Sequence, residues 1–287
     1  MGAVDQDALV VVSLRANGTV VAGSVKVVGN NMGGMPASSI AGGSHFGWSI
    51  ATCGDIDRDG VADLTVGART DGTGGPDTGA AYILYLNPGN DADPVKDFLK
   101  LSNLTSGVGA AFSSGGLWAA AGGLGDLDGD RRPDLLLAGR GDSTAGVGRG
   151  SLVVAFMGGA LASPSPSVSP TPSASPSPSP ARAGDVIRSV KIADGTGGFP
   201  GNLLGNNDLF GESVRAIGDI DGDGIVDVAA WAIGDADGAT LAGATWIVFL
   251  NRDGTAKNVS KISATEGGAE FSASNEGYFG ASPTRFD

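Results

Sequence analysis

Short apolar runs of about five residues recur along this chain, separated by stretches rich in Gly, Asn, Asp and Ser. Residues 64–68, 135–138 and 228–232 have strand length, as do 82–86, 152–156 and 246–250. Apolar residues at helical spacing are rare, and the Ala-rich stretches are broken by Gly. Gly accounts for 50 of 287 residues without a collagen period, which predicts many tight turns between many short strands. The expected class is all-β.

Some of these runs pair off as hairpins. Residues 82–86 lead through Asn87-Pro88-Gly89 to 95–101, and 246–250 through Asn251-Arg252-Asp253-Gly254 to 259–262. Near the start, residues 9–14 lead through Asn17-Gly18 to 19–28. Asn-Gly and Asp-Gly are strong hairpin signals.

The other recurring unit is acidic. Residues 55–63, 126–134 and 219–227 align without gaps, with Asp at positions one, three, five and nine in every copy, and each runs into an apolar strand. An aromatic beside a small residue precedes each copy: Phe46-Gly47, Phe112-Ser113 and Phe210-Gly211, with a fourth start at Tyr278-Phe279-Gly280. Phe112 follows Phe46 by 66 residues and Phe279 follows Phe210 by 69, enough for a strand, an acidic loop, a strand and a hairpin. That is the content of one four-stranded propeller blade.

Phe-Gly, then Asp-x-Asp-x-Asp-Gly-x-x-Asp-Leu, then Val66-Gly67-Ala68 resembles the FG-GAP repeat of integrin α-chain propellers. The first copy matches best. In the second, Ser113 stands for the Gly and Arg131 for the sixth-position Gly. The resemblance implies a β-propeller; the three repeats and the two partial pieces at the ends amount to about four blade equivalents, where the family generally has seven. Such a chain is expected to be part of a longer protein or to complete a blade with strands of another chain.

Aspartates at alternate positions of a curled loop converge on one point, and calcium takes six to eight oxygen ligands. An EF-hand needs an acid at position twelve, and Val66, Leu137 and Ala230 stand there instead. The expected ligands are the carboxylates of Asp55, Asp57, Asp59 and Asp63, of Asp126, Asp128, Asp130 and Asp134, and of Asp219, Asp221, Asp223 and Asp227. The resemblance adds the seventh-position carbonyls of Val61, Arg132 and Ile225. About three Ca²⁺ ions are expected, each stabilising a strand-to-strand corner. Empty, such clusters repel themselves.

The net charge of −13 argues against nucleic acid as a partner. No apolar run reaches 18 residues, so no membrane-spanning helix is expected. The sole cysteine, Cys53, is expected in the core. Arg140-Gly141-Asp142 spells the adhesion tripeptide, yet Asp71, Asp142 and Asp235 all stand 16 residues after their loop's first Asp, so Asp142 reads as a register residue. His45 has no nucleophile-elbow motif beside it and reads as structural. No catalytic residue and no enzymatic activity are expected. Trp48, Trp118, Trp231 and Trp246 read as core or inter-blade packing.

Residues 161–182 interrupt the pattern. Alternating Pro with Ser or Thr favours extended polyproline II and divides the chain into propeller segments 1–160 and 183–287. The composition resembles hydroxyproline-rich glycoproteins of plant and algal walls, which implies hydroxylation and O-glycosylation at Pro164, Pro166, Pro170, Pro172, Pro176, Pro178 and Pro180. Asn17, Asn103 and Asn258 head N-glycosylation triplets. A stiff rod does not return easily on itself, so one expectation is that the strand after it joins a second copy, building a homopolymer or filament. The function expected is an extracellular structural or adhesive glycoprotein module that binds other protein subunits. The alternatives are a lectin-like propeller and an accessory propeller of a larger enzyme.

Overall fold

The computed structural model describes residues 7–87, 93–108, 116, 118–158, 185–268 and 279, with the backbone only at 118–121. Among them are fourteen strands and no helix. They are β1 (Leu9–Val11), β2 (Lys26–Val28), β3 (Phe46–Gly54), β4 (Asp63–Ala68), β5 (Ala80–Leu86), β6 (Val95–Leu101), β7 (Trp118–Gly125), β8 (Asp134–Gly139), β9 (Ser151–Gly158), β10 (Asp185–Ile192), β11 (Phe210–Gly218), β12 (Asp227–Ala232), β13 (Ala244–Leu250) and β14 (Ala256–Ile262).

Three four-stranded antiparallel meanders, β3–β6, β7–β10 and β11–β14, are the complete blades of a β-propeller, and β1–β2 is a separate two-stranded sheet. The middle strands are buried on both faces, which is why residues 64–68, 135–138 and 152–156 read as continuous apolar runs. Alternate side chains serve different neighbours. Leu135, Leu137, Val153 and Ala155 join Ile83 and Leu101 of the first blade in one core. Leu136, Leu152, Val154 and Phe156 join Phe210, Trp246 and Val248 of the third blade in another. Burying each large side chain contributes about 1.5–3 kcal/mol, so strand register decides whether blades stack at all.

The hairpin β1–β2 occupies the place of a blade's third and fourth strands. Leu9 pairs with Val28 as Ala81 pairs with Leu101, and both pack into a core with Phe46, Tyr82 and Leu84 of the first blade. The expected strand over 19–28 is shorter: only Lys26–Val28 is regular, with one further bridge between Leu14 and Val20. After β2, β6 and β10 the chain crosses to the next blade through a glycine. A Cβ on Gly34 would lie 1.7 Å from the Val95 carbonyl oxygen, one on Gly107 2.4 Å from that of Val186, and one on Gly198 2.1 Å from that of Ala256. Phe279 starts the same pattern again: its amide donates to the Ala242 carbonyl as that of Phe210 does to Arg149. Phe112-Ser113, Tyr278, Gly280 and the turn at Pro88-Gly89 lie outside the described residues.

The strands flanking the Pro/Ser segment pair with each other. Asp185 is the partner of Gly158, and the register continues to Ile192 opposite Leu152. This corrects the expectation that the second strand joins another copy: the second blade is completed within one chain. Residues 161–182 and their seven prolines lie outside the described residues. Because a flexible loop's closure cost grows only logarithmically with length, replacing residues 159–184 by a four-residue turn is expected to raise stability by about 1–2 kcal/mol. Equilibrium urea unfolding of the two forms measures this; a large loss of stability would mean that the blade depends on the inserted segment.

Candidate metal centres

Each acidic loop joins the first strand of a blade to the second. The first aspartate folds the loop around itself: Asp55 accepts the amides of Asp59 and Gly60 at 2.9 and 2.8 Å, and Asp219 those of Gly222, Asp223 and Gly224 at 2.7–3.0 Å. Asp126 accepts those of Gly129 and Arg131 at 2.7 and 2.9 Å. The fifth aspartate accepts the amide of the seventh residue: Val61 to Asp59, Arg132 to Asp130 and Ile225 to Asp223, at 2.7–2.8 Å. Positions four and six are left-handed in every copy, and each tolerates an arginine once. Arg58 and Arg131 have φ of 64° and 70°, where the other copies carry Gly.

The ninth aspartate is the buried anchor. Asp63 accepts the amides of Ile56 at 2.9 Å and Leu86 at 3.0 Å, the latter from the end of the third strand. Asp134 does the same with Leu127 and Met157 at 2.9 and 3.0 Å, and Asp227 with Ile220 and Leu250 at 2.9 and 3.3 Å. Burial pushes Asp63 and Asp134 up to about 6, with neighbouring loop carboxylates adding to the shift while the amide bonds oppose it. Asp227 is raised for the same reasons.

Carboxylate oxygens of positions one, three and nine lie within 4.8 Å of one another in all three loops: Asp55, Asp57 and Asp63; Asp126, Asp128 and Asp134; Asp219, Asp221 and Asp227. The donor set is all oxygen and anionic, which fits a hard divalent cation. A protein cation already points at each of these clusters. Lys96 contacts Asp57 at 2.7 Å and also Asp59; Lys257 contacts Asp221 at 2.7 Å and Asp223 at 2.6 Å. Both lysines occupy the β-bulge of a fourth strand, where the register slips. In the second blade the bulge residue is Ile187, and Arg188 beside it reaches Asp128 at 3.5 Å while stacking on Phe156. Arg132 is buried, with its Nε 4.0 Å from Asp130 of its own loop and its guanidinium donating to the Ile56 carbonyl of the neighbouring loop at 3.4 Å.

A second set of buried carboxylates lies at the opposite end of each blade. Asp71 pairs with Lys100 at 2.7 Å, Asp142 with Lys191, and Asp235 with Lys261 at 2.7 Å. Each aspartate also caps its own turn, accepting the amide two residues on at 2.8–3.0 Å. The 16-residue register marked the aspartates, but the lysine partners were missed. Their signal is the recurring Lys-Leu or Lys-Ile near the end of each fourth strand. Asp142 is therefore buried and neutralised, and Arg140 is paired with Glu212, so the Arg-Gly-Asp tripeptide is part of the fold. Cys53 is in the core as expected. Trp231 and Trp246 are buried, but Trp48 is 52 % exposed, which corrects its reading as packing. Among the triplet asparagines, Asn17 and Asn258 are exposed, while Asn103 donates its amide nitrogen to the Gly74 carbonyl.

Residues 46–84, which run from β3 through the first acidic loop into β5, match the family model of the FG-GAP repeat. The first blade thus carries an FG-GAP repeat. Over 91 residues the chain is 36 % identical to integrin alpha-PS2 of Drosophila melanogaster, covering 32 % of this chain and 6 % of that protein. Over 102 residues it is 34 % identical to integrin alpha-7 of Mus musculus, covering 36 % and 8 %. The matched stretch is thus under a tenth of the length of either relative.

Removing one partner of a buried pair leaves an uncompensated charge, which costs about 3–5 kcal/mol. Lys191→Met is expected to destabilise by that amount, and adding Asp142→Leu to restore most of it, as read by urea unfolding. For Asp71 and Asp142, burial raises the carboxyl pKa, but the lysine and the hydrogen bonds outweigh it and the net value is lowered. The stability from these pairs is therefore complete above the unfolded carboxyl value of about 3.9. It is lost as pH falls from there through the lowered folded values. An unfolding midpoint that falls below about pH 4 in the parent, and less in Lys191→Met with Asp142→Leu, checks this.

Proposed function

We propose that this chain is a calcium-stabilised extracellular module with a structural or adhesive role, non-enzymatic, held to other protein subunits through its propeller. One observation carries the reading: three loops in register each gather three carboxylate oxygens at a strand corner. The ions would be held by the aspartates at positions one, three, five and nine, with the carbonyls of Val61, Arg132 and Ile225 completing the set. A bound cation neutralises the crowded carboxylates and ties the first two strands of each blade together. The similarity to integrin alpha chains supports an extracellular or cell-surface setting. Assembly with further copies belongs to this reading, with β1–β2 offering a sheet that another pair of strands extends.

In the same setting Asn17 and Asn258 are the glycan acceptors, and the seven prolines of the Pro/Ser segment are sites of hydroxylation and glycosylation. An N-glycan at Asn103 would cost its bond to Gly74, so Asn103 is expected to stay bare. Peptide mapping of protein secreted from eukaryotic cells checks occupancy at each position. A second reading, carbohydrate binding, is favoured by the exposed indole of Trp48.

A site filled at one hundred times its dissociation constant adds about 2.7 kcal/mol. Chelation is therefore expected to lower the thermal midpoint by several degrees, with calcium restoring it and magnesium doing so poorly. An unchanged midpoint sinks the calcium reading. Lys257→Gln removes a competing cation from Asp221 and Asp223, so it is expected to tighten calcium binding in the third loop. Calorimetric titration of the chelated protein tests this, and equal or weaker binding argues that Lys257 does not compete.

A further inference from the structure

The first strands of the three blades, β3, β7 and β11, line a common channel, with a cavity of about 420 Å³ between Ala51, Gly123 and Arg215. The acidic loops lie at one end of these strands. At the other end, where β3 and β11 begin with Phe-Gly, a pocket of about 210 Å³ is lined by Trp48, Ser49, Glu212, Ser213 and Arg215, with other residues of β3 and β11. Its chemistry differs from the rest of this acidic molecule. The Arg69 guanidinium lies 4.5 Å over the Trp48 ring, and its buried Nε has no acceptor among the described residues. Arg69 lies near both Arg140 and Glu212, which are paired with each other. The hydroxyl of Ser49 is also buried without a partner among the described residues. Arg215 lines the pocket and is exposed.

A buried donor without an acceptor costs about 1–3 kcal/mol, and two of those found among the described residues, Arg69 Nε and Ser49 Oγ, lie beside a half-exposed indole. A ligand that repairs this must bring an anion for the guanidinium groups, polar groups for the serines, and a flat apolar face for the tryptophan. An Arg fork suits a carboxylate. Glu212 sits among these groups and would repel a purely acidic peptide, but it accepts hydroxyl hydrogens. The combination of hydroxyls, one carboxylate and an apolar ring face belongs to a uronic acid. We propose that the channel mouth opposite the acidic loops binds a uronic-acid-containing saccharide. Its sugar face lies against Trp48, its carboxylate meets Arg215, and its hydroxyls meet Ser49, Ser213 and Glu212. This inference rests on the carbohydrate-binding reading and is independent of the calcium reading.

The test is a titration of the full chain with a tetramer of galacturonic acid, followed by tryptophan fluorescence and calorimetry, with excess calcium and again with chelator. Saturable binding is expected in both conditions, weakened at least tenfold by Trp48→Ala and by Arg215→Gln, and weakened by added salt. Both side chains are exposed, so an unchanged unfolding midpoint verifies that the variants fold. A neutral galactose tetramer that binds equally well would overturn the uronic-acid assignment and leave carbohydrate binding standing. Equal binding of a polyglutamate peptide would overturn both in favour of an acidic-peptide site. Absence of saturable binding to any of the three probes, or binding that both variants leave intact, overturns the proposal.

Discussion

One buried carboxylate per blade holds the architecture together. Asp63, Asp134 and Asp227 each accept one amide from the acidic loop and one from the end of the third strand. A single side chain thereby ties the loop, the second strand it begins and the third strand beside it. Burial disfavours its charge, and the other loop aspartates raise the cost further. The corner therefore needs positive charge, and its surroundings supply it in different ways: a bulge lysine in the first and third blades, an arginine in the second, and in the proposed function a divalent ion. The same loop is both the fold's weakest electrostatic point and its most useful one.

The opposite ends of the blades solve the same problem differently. There the buried carboxylates of Asp71, Asp142 and Asp235 are matched by lysines of the fourth strands. The contrast divides labour along the channel axis. One end suits inorganic cations. The other, in the proposal made for the channel mouth, offers Arg215 to an anion. The strand ends that flank the Pro/Ser segment, Gly158 and Asp185, pair at the acidic-loop end, near Arg188 and the second loop.

Much of this was legible in the residues because the repeat is local. Period, strand runs, loop register and the ninth-position aspartates all follow from spacing along the chain, and the strands begin at those aspartates as expected. The lysine partners were harder to see because Asp71 and Lys100, or Asp142 and Lys191, meet only when the fourth strand folds back across the blade. Trp48 was misread for a related reason. An aromatic after Phe-Gly looks like core, but β3 is an innermost strand and its outward residues face the channel. The Asn103 triplet likewise gives no sign that Gly74 occupies its amide.

By itself the sequence determined the all-β class, the blade unit and the convergence of each loop's aspartates, since these depend on φ/ψ preferences, turn chemistry and contacts within a few tens of residues. Only the tertiary structure decided that β9 and β10 pair across the Pro/Ser segment, that the Arg-Gly-Asp aspartate is buried, and that Trp48 and Arg215 share a pocket. Those outcomes depend on which blade faces which, and that is set by packing between strands far apart in the chain, where no local pattern carries the information.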